Sequence, residues 1–143
     1  MPSYSRDGDA CLDCYSNQYI CVPKGTRKLI KLGFALQLPK RYEAVVRGRS
    51  GLAKNGIDIA IGTIDSNYRG EVSANVINNS SEDFFINRDD RICQLAIRKA
   101  NQYKLIKVDE LDSDEIPIPI MHNIVESALE QVKPIVAKSY RDY

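Results

Sequence analysis

The sequence predicts an all-β domain over residues 1–110, a sandwich or barrel, followed by an amphipathic helix. Three observations carry this. Apolar runs rich in Val, Ile, Tyr and Phe, four to eight residues long, recur at about ten-residue spacing. Clusters of Gly, Pro, Asn, Asp and Ser separate them. Beyond residue 121 the apolar period changes to three and four.

In order, the segment around Cys11 and Cys14 alternates like a strand, and YICV runs into the Pro-Lys-Gly turn of PKGT. RKLIKLGFALQL is a strand ending at Pro39, and YEAVV follows. RGRSGLAKNGIDIAIGTI reads as glycine-punctuated strand, and GEVSANVI as a further strand. NNSSED and NRDD are turns around FFI; RICQLAI and KLIKV complete the series. VDELDSDE is an acidic break, and the prolines of IPIPI exclude a central strand. Ile124, Val125, Ala128, Leu129, Val132, Ile135 and Val136 then form one helical stripe, opposed by Glu126, Glu130, Gln131 and Lys133. Pro134 is expected to kink or end that helix. The predicted domains are therefore 1–115, β, and 116–143, a proline-broken linker with a helix.

The chain of 143 residues is one domain's worth, with an ordinary 43% hydrophobic and 27% charged content. Lys and Arg total 20 against 19 Asp and Glu, so no basic excess exists to neutralise phosphates of DNA or RNA. No apolar run reaches the roughly 18–20 residues of a membrane span, and MPSYSRDGDA lacks a signal-peptide pattern. Neither a nucleic-acid nor a membrane partner is expected, and the compartment is expected to be intracellular. Cytosol, nucleus and virus-infected cell fit equally, as do viral and retroelement sources.

Cys11 and Cys14 have metal-ligand spacing, with Cys21 a third candidate, but no second C-x-x-C or H-x-x-x-H pair follows. Disulfides lack a secretion signal to support them. Buried, reduced thiols acting as small hydrophobes are the expectation. His122, which opens the helical stretch, reads as a helix-start or surface residue.

Arg47 to Val72 carries the chemistry. Arg49, Ser50 and Gly51 supply a guanidinium, a hydroxyl and an approachable backbone amide, a trio suited to a phosphate. Asp65 ends an apolar strand and precedes Tyr68, an arrangement that suits a general base on water. Taken alone, the trio also reads as a plain turn and Asp65 as the cap of a hairpin.

Together these stretches resemble the trimeric dUTPase family (deoxyuridine triphosphate pyrophosphatases). GDACLDCYS is similar to its first motif, RSGLAKNGI to the second, GTIDSNYRGEV to the third and RDDRICQLAI to the fourth, in order. The resemblance implies a distorted jelly-roll barrel assembled as a homotrimer, with sites between subunits. It implies a hydrolase of nucleotide metabolism that converts dUTP to dUMP and diphosphate, limiting uracil in DNA. Asp65 takes the place of the acid that deprotonates the attacking water. Tyr68 stacks beneath the deoxyribose and rejects a 2′-hydroxyl, and backbone groups from Ile59 through Gly62, Thr63 and Ile64 read the uracil edge. Arg49, Ser50, Gly51 and Gln94 hold phosphate oxygens. Mg2+ is the implied cofactor, with Asp13 holding it through its water shell.

Departures from the pattern are Cys11 and Asp89 where glycines are usual, and Ala60 for a hairpin glycine. The fifth motif, a glycine-rich C-terminal tail, has no counterpart, because no glycine follows Gly70. Two functional expectations result. One is a dUTP diphosphatase that works without that lid. The other is a catalytically weak or inactive binding module whose C-terminal helix docks on a protein partner.

Overall fold

The computed structural model describes residues 1–112, 133–138 and 140. Residues 1–100 form one compact unit, and the described residues from 101 onward belong to another. The expected domain boundary at 115/116 lies outside the described residues.

The first unit holds nine strands. They are β1 (Leu12–Tyr15), β2 (Ile20–Val22), β3 (Arg27–Ala35), β4 (Tyr42–Arg47), β5 (Ile57–Ala60), β6 (Gly62–Ile64), β7 (Glu71–Asn78), β8 (Phe84–Ile86) and β9 (Arg91–Lys99). They pair antiparallel into sheets of order β1-β9-β4-β6, β3-β7-β5 and β2-β8. Burial alternates along β3 and β7, as half-buried antiparallel strands require. Ile30 and Val76 from one sheet, Val22 and Ile86 from another, and Ile92 and Leu95 from the third fill the core, each at most 2% exposed. The predicted strands are recovered nearly in place.

One element is not foreseen. Ser50–Lys54 is a single-turn helix, α1, with Arg49 as its N-cap in extended conformation. Five residues are too few for an apolar period to show, and Gly51 within it and Gly48 and Gly56 on either side read as turns.

Asp89, in the turn before β9, adopts φ 72°. This left-handed conformation explains why glycine suits the position, and aspartate is among the residues that tolerate it. Its amide donates to Ser16 O at 2.8 Å, tying the turn to the end of β1.

In the second unit, β10 (Tyr103–Lys107) pairs in parallel with β11 (Lys133–Ala137). This corrects the helix expected from residue 122 onward, since Ile135 and Val136 lie in a strand opposite Leu105 and Ile106. Both are β-branched, and Pro134 cannot donate in a helical ladder, so this end of the stripe suits a strand with one partner. The rest of the predicted helix, with His122, lies outside the described residues. Among the described residues no helix is long and apolar enough to cross a membrane.

Candidate active site

The four-stranded sheet lines up one group of polar residues. Leu12 pairs with Leu95 and Cys14 with Cys93 on its core face. Alternation therefore puts Asp13 and Gln94, also directly paired, on the opposite face. Arg91 opens β9, and its Nη1 donates to Asp13 Oδ2 at 3.3 Å. Arg49 Nη1 donates to the Arg91 carbonyl at 3.1 Å, so the two guanidinium groups flank one carboxylate. The N-terminal segment covers Asp13. Ser3 and Asp13 exchange backbone hydrogen bonds of 3.2 and 2.7 Å, and the Ser5 hydroxyl donates to Asp13 Oδ2. Asp13 is 7% exposed and forms the floor of a cleft of about 470 Å³ shared with Arg49, Arg91 and Gln94. Ser50 and Gly51 open α1 directly after Arg49, where first-turn amides have no intrahelical acceptor.

The Ser5 hydroxyl and the Arg91 guanidinium hold the Asp13 carboxyl below the ordinary 3.8, against the opposing effect of burial. A depressed folded-state pKa stabilises the fold above the unfolded value and is lost as pH falls through the folded one. Metal-free protein is therefore expected to lose stability in acid below pH 3.8, and Asp13→Asn to flatten that limb. Urea midpoints across this pH range are the check.

The second group surrounds the turn after β6. Gly62, Thr63, Ile64, Asp65 and Tyr68 line a cleft of about 290 Å³ with apolar walls from Leu29 and Val46. Asp65 is exposed, and its carbonyl accepts from the Tyr68 amide at 3.1 Å. The Tyr68 hydroxyl donates to the Glu71 carbonyl at 3.0 Å, folding the ring back over Gly70. A Cβ at Gly70 would stand 2.5 Å from the Tyr68 oxygen and 2.7 Å from Cζ. Gly70→Ala must therefore push the ring away. The expected result is at least about a tenfold loss of kcat/KM for the substrate of this cleft, an orientation effect, with an unchanged urea midpoint.

The structure brings Asp65, Tyr68 and Gly62–Ile64 together in one cleft, and Asp13, Arg49 and Gln94 in another. Ser50 and Gly51, next to Arg49 in α1, line neither cleft, and Ile59 lines neither. Its side chain is 8% exposed in the core and its backbone pairs with Val76 on β7. Arg91, Ser5 and Arg6 are cleft residues that the sequence reading left out of the site. Arg91 is three residues from Gln94, a spacing that plain alternation puts on the opposite face; the register shift between Cys14 and Tyr15, legible only once β1 and β9 are paired, accompanies its contact with Asp13. Cys14 and Cys93 lie beneath this cleft as buried thiols, and hydrogen bonding to Cys14 together with burial pushes Cys93 up. Among the described residues no group of three or more His, Cys, Asp or Glu could hold a metal ion by itself.

Residues 1–117 match the family described as dUTPase. The chain belongs to the dUTPase family. Among its relatives, the deoxyuridine 5'-triphosphate nucleotidohydrolase of Zymomonas mobilis is 44% identical over 118 residues, covering 80% of this chain and 81% of that one. The protein of the same name from Alkaliphilus metalliredigens is 37% identical over 118 residues, covering 80% and 82%. A mutant dUTPase of Staphylococcus aureus phage phi11, described with a structural Mg(II) ion, superposes with TM-score 0.73. It is 24% identical, and the match covers 79% of this chain and 92% of that one, so the likeness is one of fold. The dUTPase of Staphylococcus bacteriophage 80alpha, solved with dUpNHpp, gives TM-score 0.75 at 22% identity, covering 80% and 85%.

Proposed function

We propose that this dUTPase-family chain hydrolyses dUTP to dUMP and diphosphate by attack of water on the α-phosphorus. The observation that carries this reading is the cleft where an exposed Asp65 stands beside a Tyr68 ring pinned over Gly70. An acid in an apolar-walled cleft can orient a water and take its proton as it attacks. Tyr68 supplies a flat apolar surface for a sugar lacking a 2′-hydroxyl. β6 is an edge strand, so its outer side presents backbone donors and acceptors to a uracil edge, and a thymine methyl crowds so close an approach. Arg49, Ser50, Gly51 and Gln94 hold phosphate oxygens, where guanidinium and amide donors stabilise charge developing in the transition state.

The donor set fits Mg2+. One buried, ionised carboxylate, Asp13, faces the phosphate cleft, and Mg2+ is commonly held by one or two carboxylates, waters and substrate phosphates. Asp13 Oδ2 already accepts from Ser5 and Arg91, which leaves Oδ1 for the water shell. When bound, Mg2+ supplies charge neutralisation on the triphosphate.

Asp13 lies on β1 and Gly62–Ile64 on β6, the two edges of one sheet, about 14 Å apart at standard strand spacing. Within one subunit the two clefts share no lining residue. A second copy that supplies the complementary half closes the site, which is the basis for proposing a homotrimer. Exposed Leu29 and Ile61, at 65% and 78%, are suited to burial in such an assembly. Sedimentation equilibrium at micromolar concentration should give three times the 16.1 kDa chain mass, and a monomer would contradict the assembly. Turnover in 18O-water should label dUMP and not diphosphate. Label in diphosphate would contradict attack at the α-phosphorus.

A further inference from the structure

The N-terminal segment forms a strap along the phosphate cleft. It is anchored by the Ser3–Asp13 backbone pair and the Ser5–Asp13 side-chain bond. Beyond that anchor it turns sharply. The Asp9 amide donates to Arg6 O at 3.2 Å, the Arg6 amide donates to Asp9 Oδ2 at 2.9 Å, and Gly8 takes φ 86°. The turn places Arg6 on the cleft wall, sharing the space with Arg49, Arg91 and Gln94. Its side chain is 87% exposed, and its one ion-pair contact among the described residues, Asp9 Oδ1 at 3.9 Å, is long. Such exposed pairs contribute little, so the guanidinium is available to a stronger acceptor.

Building on the dUTP reading, we propose that Arg6 grips the distal phosphates of the nucleotide. Gln94 and Arg49 serve the phosphate nearest the sugar, and the remaining phosphates run along a cleft whose side charges are Arg6, Arg49 and Arg91 against Asp9 and Asp13. The most charged part of the ligand meets the strap, and a guanidinium fork matches terminal phosphate oxygens. The short turn, tethered at Ser3 and Ser5, limits the ordering that binding must impose on Arg6.

The test is calorimetric titration of the full chain with dUpNHpp and with dUMP, both in the presence of Mg2+. Arg6→Ala should weaken dUpNHpp about tenfold, equivalent to about 1.4 kcal/mol, and leave dUMP within about twofold. Asp9→Asn keeps an acceptor for the Arg6 amide and removes a negative charge, so dUpNHpp affinity should hold or rise. Equal losses for dUpNHpp and dUMP, no loss for either, or a loss in Asp9→Asn matching that in Arg6→Ala would overturn the assignment. Tight dUpNHpp binding by the unaltered chain with an indifferent Arg6→Ala would sink this inference alone. An unaltered chain that binds neither ligand would overturn the proposed function as well.

Discussion

Asp65→Asn is expected to hydrolyse dUTP at least about 100-fold more slowly than the unaltered chain. Asparagine keeps the shape of the side chain and one acceptor oxygen, but it cannot take a proton from water. The backbone bond from the Tyr68 amide to the residue 65 carbonyl is unaffected, so the turn and the Tyr68 ring stay in place. The loss should therefore fall on kcat, with dUpNHpp affinity changed by less than about threefold, as expected for a group acting in the transition state. Steady-state kinetics with calorimetry separate the two. A near-unaltered kcat would remove Asp65 from the chemistry.

Asn78→Ala is expected to cost about 3 kcal/mol of stability. Asn78 ends β7 and is fully buried. Its Nδ2 donates to the Val22 and Glu82 carbonyls, each at 2.8 Å. Its Oδ1 accepts from the Ser80 amide at 3.0 Å and the Ser80 hydroxyl at 2.7 Å. One side chain thus joins β7, β2 and the NNSSED turn. Alanine takes the Asn78 side chain from the Val22 carbonyl and the Ser80 amide, while the Glu82 carbonyl keeps the Ser80 hydroxyl at 2.8 Å, and a buried unsatisfied group costs about 1–3 kcal/mol. Urea unfolding should show a lower midpoint with an unchanged slope. A loss below about 1 kcal/mol would mean that water replaces the network, since a bridging water recovers most of such bonds.

Most strands were legible because they are antiparallel and half-buried, so a two-residue period marks them. GEVSANVI shows this best, with Val72, Ala74 and Val76 buried in alternation, a pattern that Asn78 continues at the end of β7. Asn78 itself reads as a turn residue in sequence, and its burial follows from partners more than fifty residues away as well as near ones. The C-terminal stripe misled at residues 133–137, because β-branched residues three or four apart satisfy a helical period and also fit a strand. Of the candidate site, the meeting of Asp65 and Tyr68 in one cleft was legible, since one turn holds both. Ile59 was drawn into the site by its position in the hairpin, yet IDIA already alternates, and Ile57 and Ile59 share the core-facing side. Arg91 escaped because its contact with Asp13 depends on β1–β9 register across 78 residues. Ser5 escaped because the Ser3–Asp13 backbone pair carries it to Asp13, and Arg6 because a tight turn at Gly8, not a periodic element, aims it.

The central claim is specificity for dUTP as a hydrolysed substrate, and diphosphate release with Mg2+ from dUTP, dCTP, dTTP and UTP tests it most directly. The edge strand β6, Tyr68 and Asp65 predict turnover of dUTP, with the other three at least about 100-fold slower, the scale on which an unpaired polar edge or a steric clash discriminates. Equal turnover of UTP would remove Tyr68 as the sugar discriminator. Absence of turnover for all four, with dUTP still raising the thermal midpoint, would contradict the enzyme and leave a nucleotide-binding fold.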